Sequence, residues 1–142
     1  MLYKKSLGIE RHNMPQIEAK NVPIFLEWLM IQTSKPWKKE AVRVGSLLPT
    51  QKEYNPEKVK NMMNAPDEVL TKPIIVSSDN YILDGHHRYS AMLEKNPFMN
   101  FEIFRVDLDI KELLEYADRF PLTFKKGLNE KISFLQFQKR FI

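Results

Sequence analysis

The sequence contains no cysteine. Disulfides, thiolate nucleophiles and zinc–thiolate centres are therefore excluded. No apolar run reaches the length of a membrane span. The opening stretch, MLYKKSLGIERHNMPQ, carries two lysines with no apolar core behind them, so it does not read as a signal peptide. A cytoplasmic protein with no membrane partner is the expectation. There is no internal repeat and no low-complexity tract. What is present is the composition of a soluble globular domain: 142 residues, 43% hydrophobic and 28% charged, enough to bury a core. The net charge of +4 suits phosphate-rich partners and equally an ordinary lysine-rich surface.

The most informative stretch is PIIVSSDNYILDGHHRYSAML, residues 73–93. Two apolar runs, at 73–76 and 81–83, flank Ser77, Ser78, Asp79 and Asn80, which is turn chemistry and predicts a hairpin. After Leu83 the period becomes helical, with Tyr89, Met92 and Leu93 recurring on one face. Asp84 is placed to cap that helix, and Gly85 permits close backbone approach. Unpaired N–H groups at a helix start favour an anion, and Arg88 adds a bidentate donor. The turn is a candidate phosphate or carboxylate site with His86 and His87 beside it.

Around it the chain reads as an α+β fold with a small mixed sheet and helices packed about it. Residues 1–22 form an arm without clean periodicity, and 23–32 a helix opened by Pro23. Residues 33–40 read as a linker. A first strand is expected at 41–48, then the polar segment TQKEY, then a helix at 56–64 capped by Asn55. Residues 65–72 read as irregular. A strand at 101–107 and a helix at 110–120 follow the central stretch. The expected division is an arm and helix, 1–40, packed on a domain, 41–142, as one globular unit. The hairpin loop is too short for a parallel crossover, so that pair should be antiparallel.

YILDGHHRYSAM resembles the phosphate-binding signature of the ParB/sulfiredoxin superfamily, and the order VRVGSLLPTQKEYNPEKVKNMM, then PIIVS, is similar to the elements upstream of it. The resemblance implies a small α/β domain that binds nucleotide phosphates at this turn: ATP, ADP or CTP, with Mg²⁺. Sulfiredoxin chemistry is excluded, because its catalytic cysteine follows the signature glycine and His86 stands there. ParB proteins of chromosome partitioning usually carry a glutamate and two arginines after the glycine; His86 and His87 replace two of these, and no DNA-reading helix-turn-helix follows. DGHHR itself is similar to the free serine kinase branch. That likeness implies phosphoryl transfer or nucleotide hydrolysis with an acidic base on the loop after the first strand, where Glu53 sits. Stand-alone phage domains and a DNA-binding or nuclease module are similar too.

Each residue has a plainer role to weigh. Arg88 is a phosphate clamp or a salt bridge to Asp84; an arginine at a helix start is badly placed for the macrodipole unless an anion is present. His86 and His87 are adjacent and cannot share one face, so one faces the site and the other packs; His87 stands as the catalytic candidate beside Glu53, and both histidines as phosphate ligands. Their adjacency does not suit a two-histidine metal site. Asp84 is a cap that could also hold Mg²⁺ through water. Gln51 shares the polar loop with Glu53 and is a binding candidate, as is Ser77, whose plainer job is the turn. The tail residues Phe134, Phe137, Lys139, Arg140 and Phe141 fit an apolar helix face more readily than a nucleic-acid track. Arm and tail could each be an interface, which leaves a homodimer open.

Overall fold

Strand β4, Asn100–Val106, is the centre of the architecture. Phe101 and Ile103 point to one face of it, Phe104 and Val106 to the other, and both faces are covered. The structure is a computed structural model describing residues 1–3 and 5–125. The aromatic-basic tail lies outside the described residues. On one side of β4 runs β2, Trp37–Arg43, antiparallel and in register from Trp37 opposite Val106 to Arg43 opposite Asn100. On the other side lies β3, Ile74–Val76, parallel, with Ile74 opposite Ile103. A parallel neighbour needs a crossover, and the chain supplies it as the turn at 77–85 and helix α4, His86–Lys95.

Four layers result. Helices α1, Val22–Thr33, and α5, Ile110–Arg119, cover one sheet face with Phe25, Leu26, Leu29, Leu113 and Ala117 against Ile75 and Val106. Phe25 and Trp28 close this core over Phe120, with ring centroids 5.1 and 5.3 Å away. Helix α4 covers the other face, setting Tyr89 and Met92 on Ile74, Val76 and Ile103. Its outer side carries α2, Pro56–Met63, and α3, Asp67–Leu70, through Val59, Leu70 and Ala91. Asn55 caps α2, accepting from the N–H groups of Glu57 and Lys58, and Asp109 caps α5 by accepting from Glu112.

The arm is ordered into the fold. Residues 1–3 and 5–9 run along 49–54 with backbone hydrogen bonds from Tyr3, Leu7 and Ile9 to Lys52, Pro49 and Thr50. Short 3₁₀ turns at Arg11–Asn13 and Ala19–Asn21 flank β1, Pro15–Gln16, which pairs antiparallel with β5, Phe124–Lys125. Met14 and Ile17 are buried there.

Four expectations need correction. The first strand begins at Trp37, inside the expected linker, because Lys38, Lys39 and Glu40 lie on an edge strand where charge is tolerated. It ends at Arg43, where a 3₁₀ turn, Val44–Ser46, takes the chain away. Residues 67–70 form a helical turn rather than an irregular stretch. The second hairpin arm is reduced to bridges: Ile82 faces Val76 antiparallel, as the short loop requires, while Tyr81 bridges Leu48 in parallel. Among the described residues no helix is long and apolar enough to cross a membrane.

Candidate functional site

The turn between β3 and α4 opens onto a cavity of about 550 Å³. One wall is the start of α4, with Asp84, Gly85, His86, His87 and Arg88, together with Lys72 and Ile74 at the entry to β3. A second part of the lining is the arm and the start of α1, with Arg11, Gln16, Ile17, Val22 and Pro23. Phe104 and Ile75 contribute from the sheet, and Gln51 from the polar loop. Arg11, Lys72 and Arg88 bring three cations to this lining against one carboxylate, Asp84. A concave site with that balance suits an anionic small molecule.

Gly85 makes the turn. It has φ +92° and precedes the helix directly. A Cβ there would lie 2.6 Å from Ile74 Cγ2 and 3.2 Å from Arg88 Nη2. The absent side chain thus lets the helix start close on β3 and lets the Arg88 guanidinium lie across it. Gly85 is also the N-terminal flanking residue of the helix, so Asp84 is not its cap. Instead, Asp84 Oδ1 accepts from the Gly85 N–H at 2.7 Å, and Oδ2 from the Ile17 N–H at 3.4 Å. The carboxylate ties the turn to the arm.

Arg88 donates through Nη1 to the carbonyl of Lys72, 2.8 Å away. Burial pulls its guanidinium below its ordinary value, with the Asp84 carboxylate acting the other way. The group stays charged and partly desolvated, which is the state that gains most from an anion.

The two histidines divide as adjacency requires. His86 is buried, and its Nε2 accepts from the backbone N–H groups of Thr50 and Gln51 at 3.0 and 3.1 Å. Burial, and then the neighbouring His87, push its pKa down to about 3. It is a neutral acceptor that fixes the 50–51 loop, and its Nε2 has no proton to offer a phosphate. His87 lines the cavity and its Nε2 accepts from the Asn55 N–H at 3.3 Å.

The other candidates scatter. Gln51 is buried at the cavity edge, with its amide donating to the carbonyl of Glu53. Glu53 is exposed and outside the cavity lining, where Leu2 of the arm bridges it. Ser77 is fully buried in the turn, where its hydroxyl accepts from the Tyr81 N–H and donates to Asp79. Arg105 pins that turn by donating to the Ser77 carbonyl and to Asn80 while paired with Glu40. This hydrogen bond holds the Glu40 carboxyl below its usual range. Among the described residues no group of three histidine or acidic side chains could hold a metal. Arg11, Gln16 and Lys72 escape a reading of the sequence. Lys72 had a local signal, its place at the strand entry, but β1 is too short to leave a periodic one.

Comparison with known proteins adds a likeness of fold. Two solved structures of pNOB8-like ParB N-domains are similar over 76% of this chain, at 18% identity and TM-scores of 0.43 and 0.46. The match spans 47% and 44% of the length of those chains, so less than half of each is represented here. No protein-family model and no curated protein matches the sequence.

Proposed function

We propose that this chain is a ParB-like nucleotide-binding module that grips the phosphates of ATP, ADP or CTP in the cavity at the β3–α4 turn. The observation that carries the reading is the meeting of Arg11, Lys72 and Arg88 in the lining of one cavity with a single carboxylate. Arg88 and the N–H groups at the start of α4 take the phosphate, and Gly85 keeps the approach open. His87 is the histidine positioned to touch the ligand. Asp84 already accepts from two backbone N–H groups, so it is poorly suited to hold Mg²⁺ directly. The ion would come with the nucleotide.

Binding is favoured over phosphoryl transfer because Glu53, the candidate base, is outside the cavity lining. A duplex-binding module is disfavoured by the concave shape, which suits a small molecule. Isothermal titration with ATP, ADP and CTP, with and without Mg²⁺, tests the reading. We expect at least one to bind, Arg88→Ala to weaken it by roughly ten-fold or more, and Glu53→Gln to leave affinity unchanged. Failure of all three to bind, or indifference to Arg88→Ala, would refute it. Salt-steep duplex binding insensitive to Arg88→Ala would support the nucleic-acid alternative.

A further inference from the structure

Six polar side chains are buried among the described residues: Gln16, Thr50, Gln51, Ser77, His86 and Ser90. Five have hydrogen-bond partners. Thr50 donates to the Ile82 carbonyl, Gln51 to Glu53, Ser77 to Asp79, His86 accepts from the 50–51 backbone, and Ser90 bonds Tyr3. Gln16 is the exception. It is 9% exposed, its backbone is in register with Phe124, and its amide makes no hydrogen bond to any described residue. Among the described residues the fully enclosed side-chain polar atom without a partner is Thr123 Oγ1, so the Gln16 amide is not sealed off but open to the cavity. Gln16 lines the same cavity as the cationic turn.

A glutamine amide presents a donor and an acceptor side by side. That pair complements a planar edge carrying an adjacent acceptor and donor, as in the pairing of glutamine with an adenine edge. The surroundings suit a planar group as well. Val22 and Pro23 come from the start of α1, and Ile75 and the half-buried ring of Phe104 from the sheet. We propose that Gln16 is the specificity-determining residue of the cavity, reading the hydrogen-bonding edge of a nucleobase while Arg88 holds the phosphates. The inference rests on the nucleotide reading above and adds which wall recognises the base.

The test compares ADP with inorganic pyrophosphate, which has no base, on the full chain and on Gln16→Leu, Gln16→Ala and Arg88→Ala. Gln16→Leu and Gln16→Ala weaken ADP about ten-fold and leave pyrophosphate within about two-fold, as expected for loss of a well-placed bidentate contact. Arg88→Ala weakens both ligands. Thermal melts of the two Gln16 variants separate a folding defect from a recognition defect. If pyrophosphate binds through Arg88 but ADP affinity ignores both Gln16 changes, the role of Gln16 is overturned while the phosphate site stands. If both ligands weaken equally in a folded Gln16 variant, Gln16 serves the phosphate and not the base. If the unaltered protein binds neither ligand, the role of Gln16 falls, and if ATP and CTP also fail to bind, the nucleotide reading falls with it.

Discussion

Replacing Gly85 by alanine tests the geometry of the turn most directly. Two costs follow from the structure. At φ +92° a side chain is strained, which costs about 1–2 kcal/mol for an L-residue in this region. The new methyl would also sit 2.6 Å from Ile74 Cγ2, well inside contact distance, and Ile74 is buried against β4 with little room to move. Overpacking of that kind costs about 1–3 kcal/mol. Together they give a loss of roughly 2–5 kcal/mol from a total stability of roughly 5–15. The melting temperature should fall by about 10 °C. Urea denaturation followed by circular dichroism measures the loss. The cause is isolated by a double-mutant cycle with Ile74→Ala, which removes the clashing methyl. The pair should show a favourable coupling of about 1 kcal/mol or more relative to the sum of the single changes. A Gly85→Ala protein within about 0.5 kcal/mol of the parent would refute the claim that this turn needs glycine.

Two further outcomes follow from other residues. His86 is neutral in the fold, with its pKa lowered from 6.5 to about 3. The unfolded chain therefore binds more protons between these values, and stability falls as pH drops from about 6.5 towards 3. Linkage puts the loss between pH 7 and pH 4 at about 3 kcal/mol. Denaturation midpoints across that range should decline in the parent and decline less in His86→Gln; parallel curves would remove His86 as the source. At α2, Asn55→Ala removes the acceptor for two N–H groups and should cost about 1 kcal/mol by urea denaturation, with no change expected if the cap is idle.

The legible parts of this fold are those whose physics is local. Asn55 before Pro56, and the apolar spacing of Leu113 and Ala117, announce α2 and α5 because capping and periodicity are written in adjacent residues. The turn at 77–80 was equally plain. The start of β2 was not, because Lys38, Lys39 and Glu40 are stranded by a partner more than sixty residues away rather than by their own propensity. At the cavity, Gly85 and Arg88 were readable from their places just before and in the first turn of a helix. The division between His86 and His87 was not, since burial decides it. Asp84 looked like a cap and instead reaches the arm, a contact that no spacing encodes. Arg11 and Gln16 were invisible for the same reason: they join the cavity through tertiary contacts.

The two-residue pairing of β1 with β5 joins positions more than a hundred residues apart. Closing a loop of that size costs about 4 kcal/mol of chain entropy, more than so short a ladder can return alone. The wall that carries Arg11 and Gln16 therefore depends on the finished molecule for its place. During synthesis it forms only after residue 125 has emerged, later than the turn that shares its cavity. In the folded protein it is the wall with least intrinsic support, so its amides should exchange with solvent sooner than those of β4. A ligand spanning Arg11 and Arg88 would act as an added cross-link, holding together two segments that the chain itself joins at great distance.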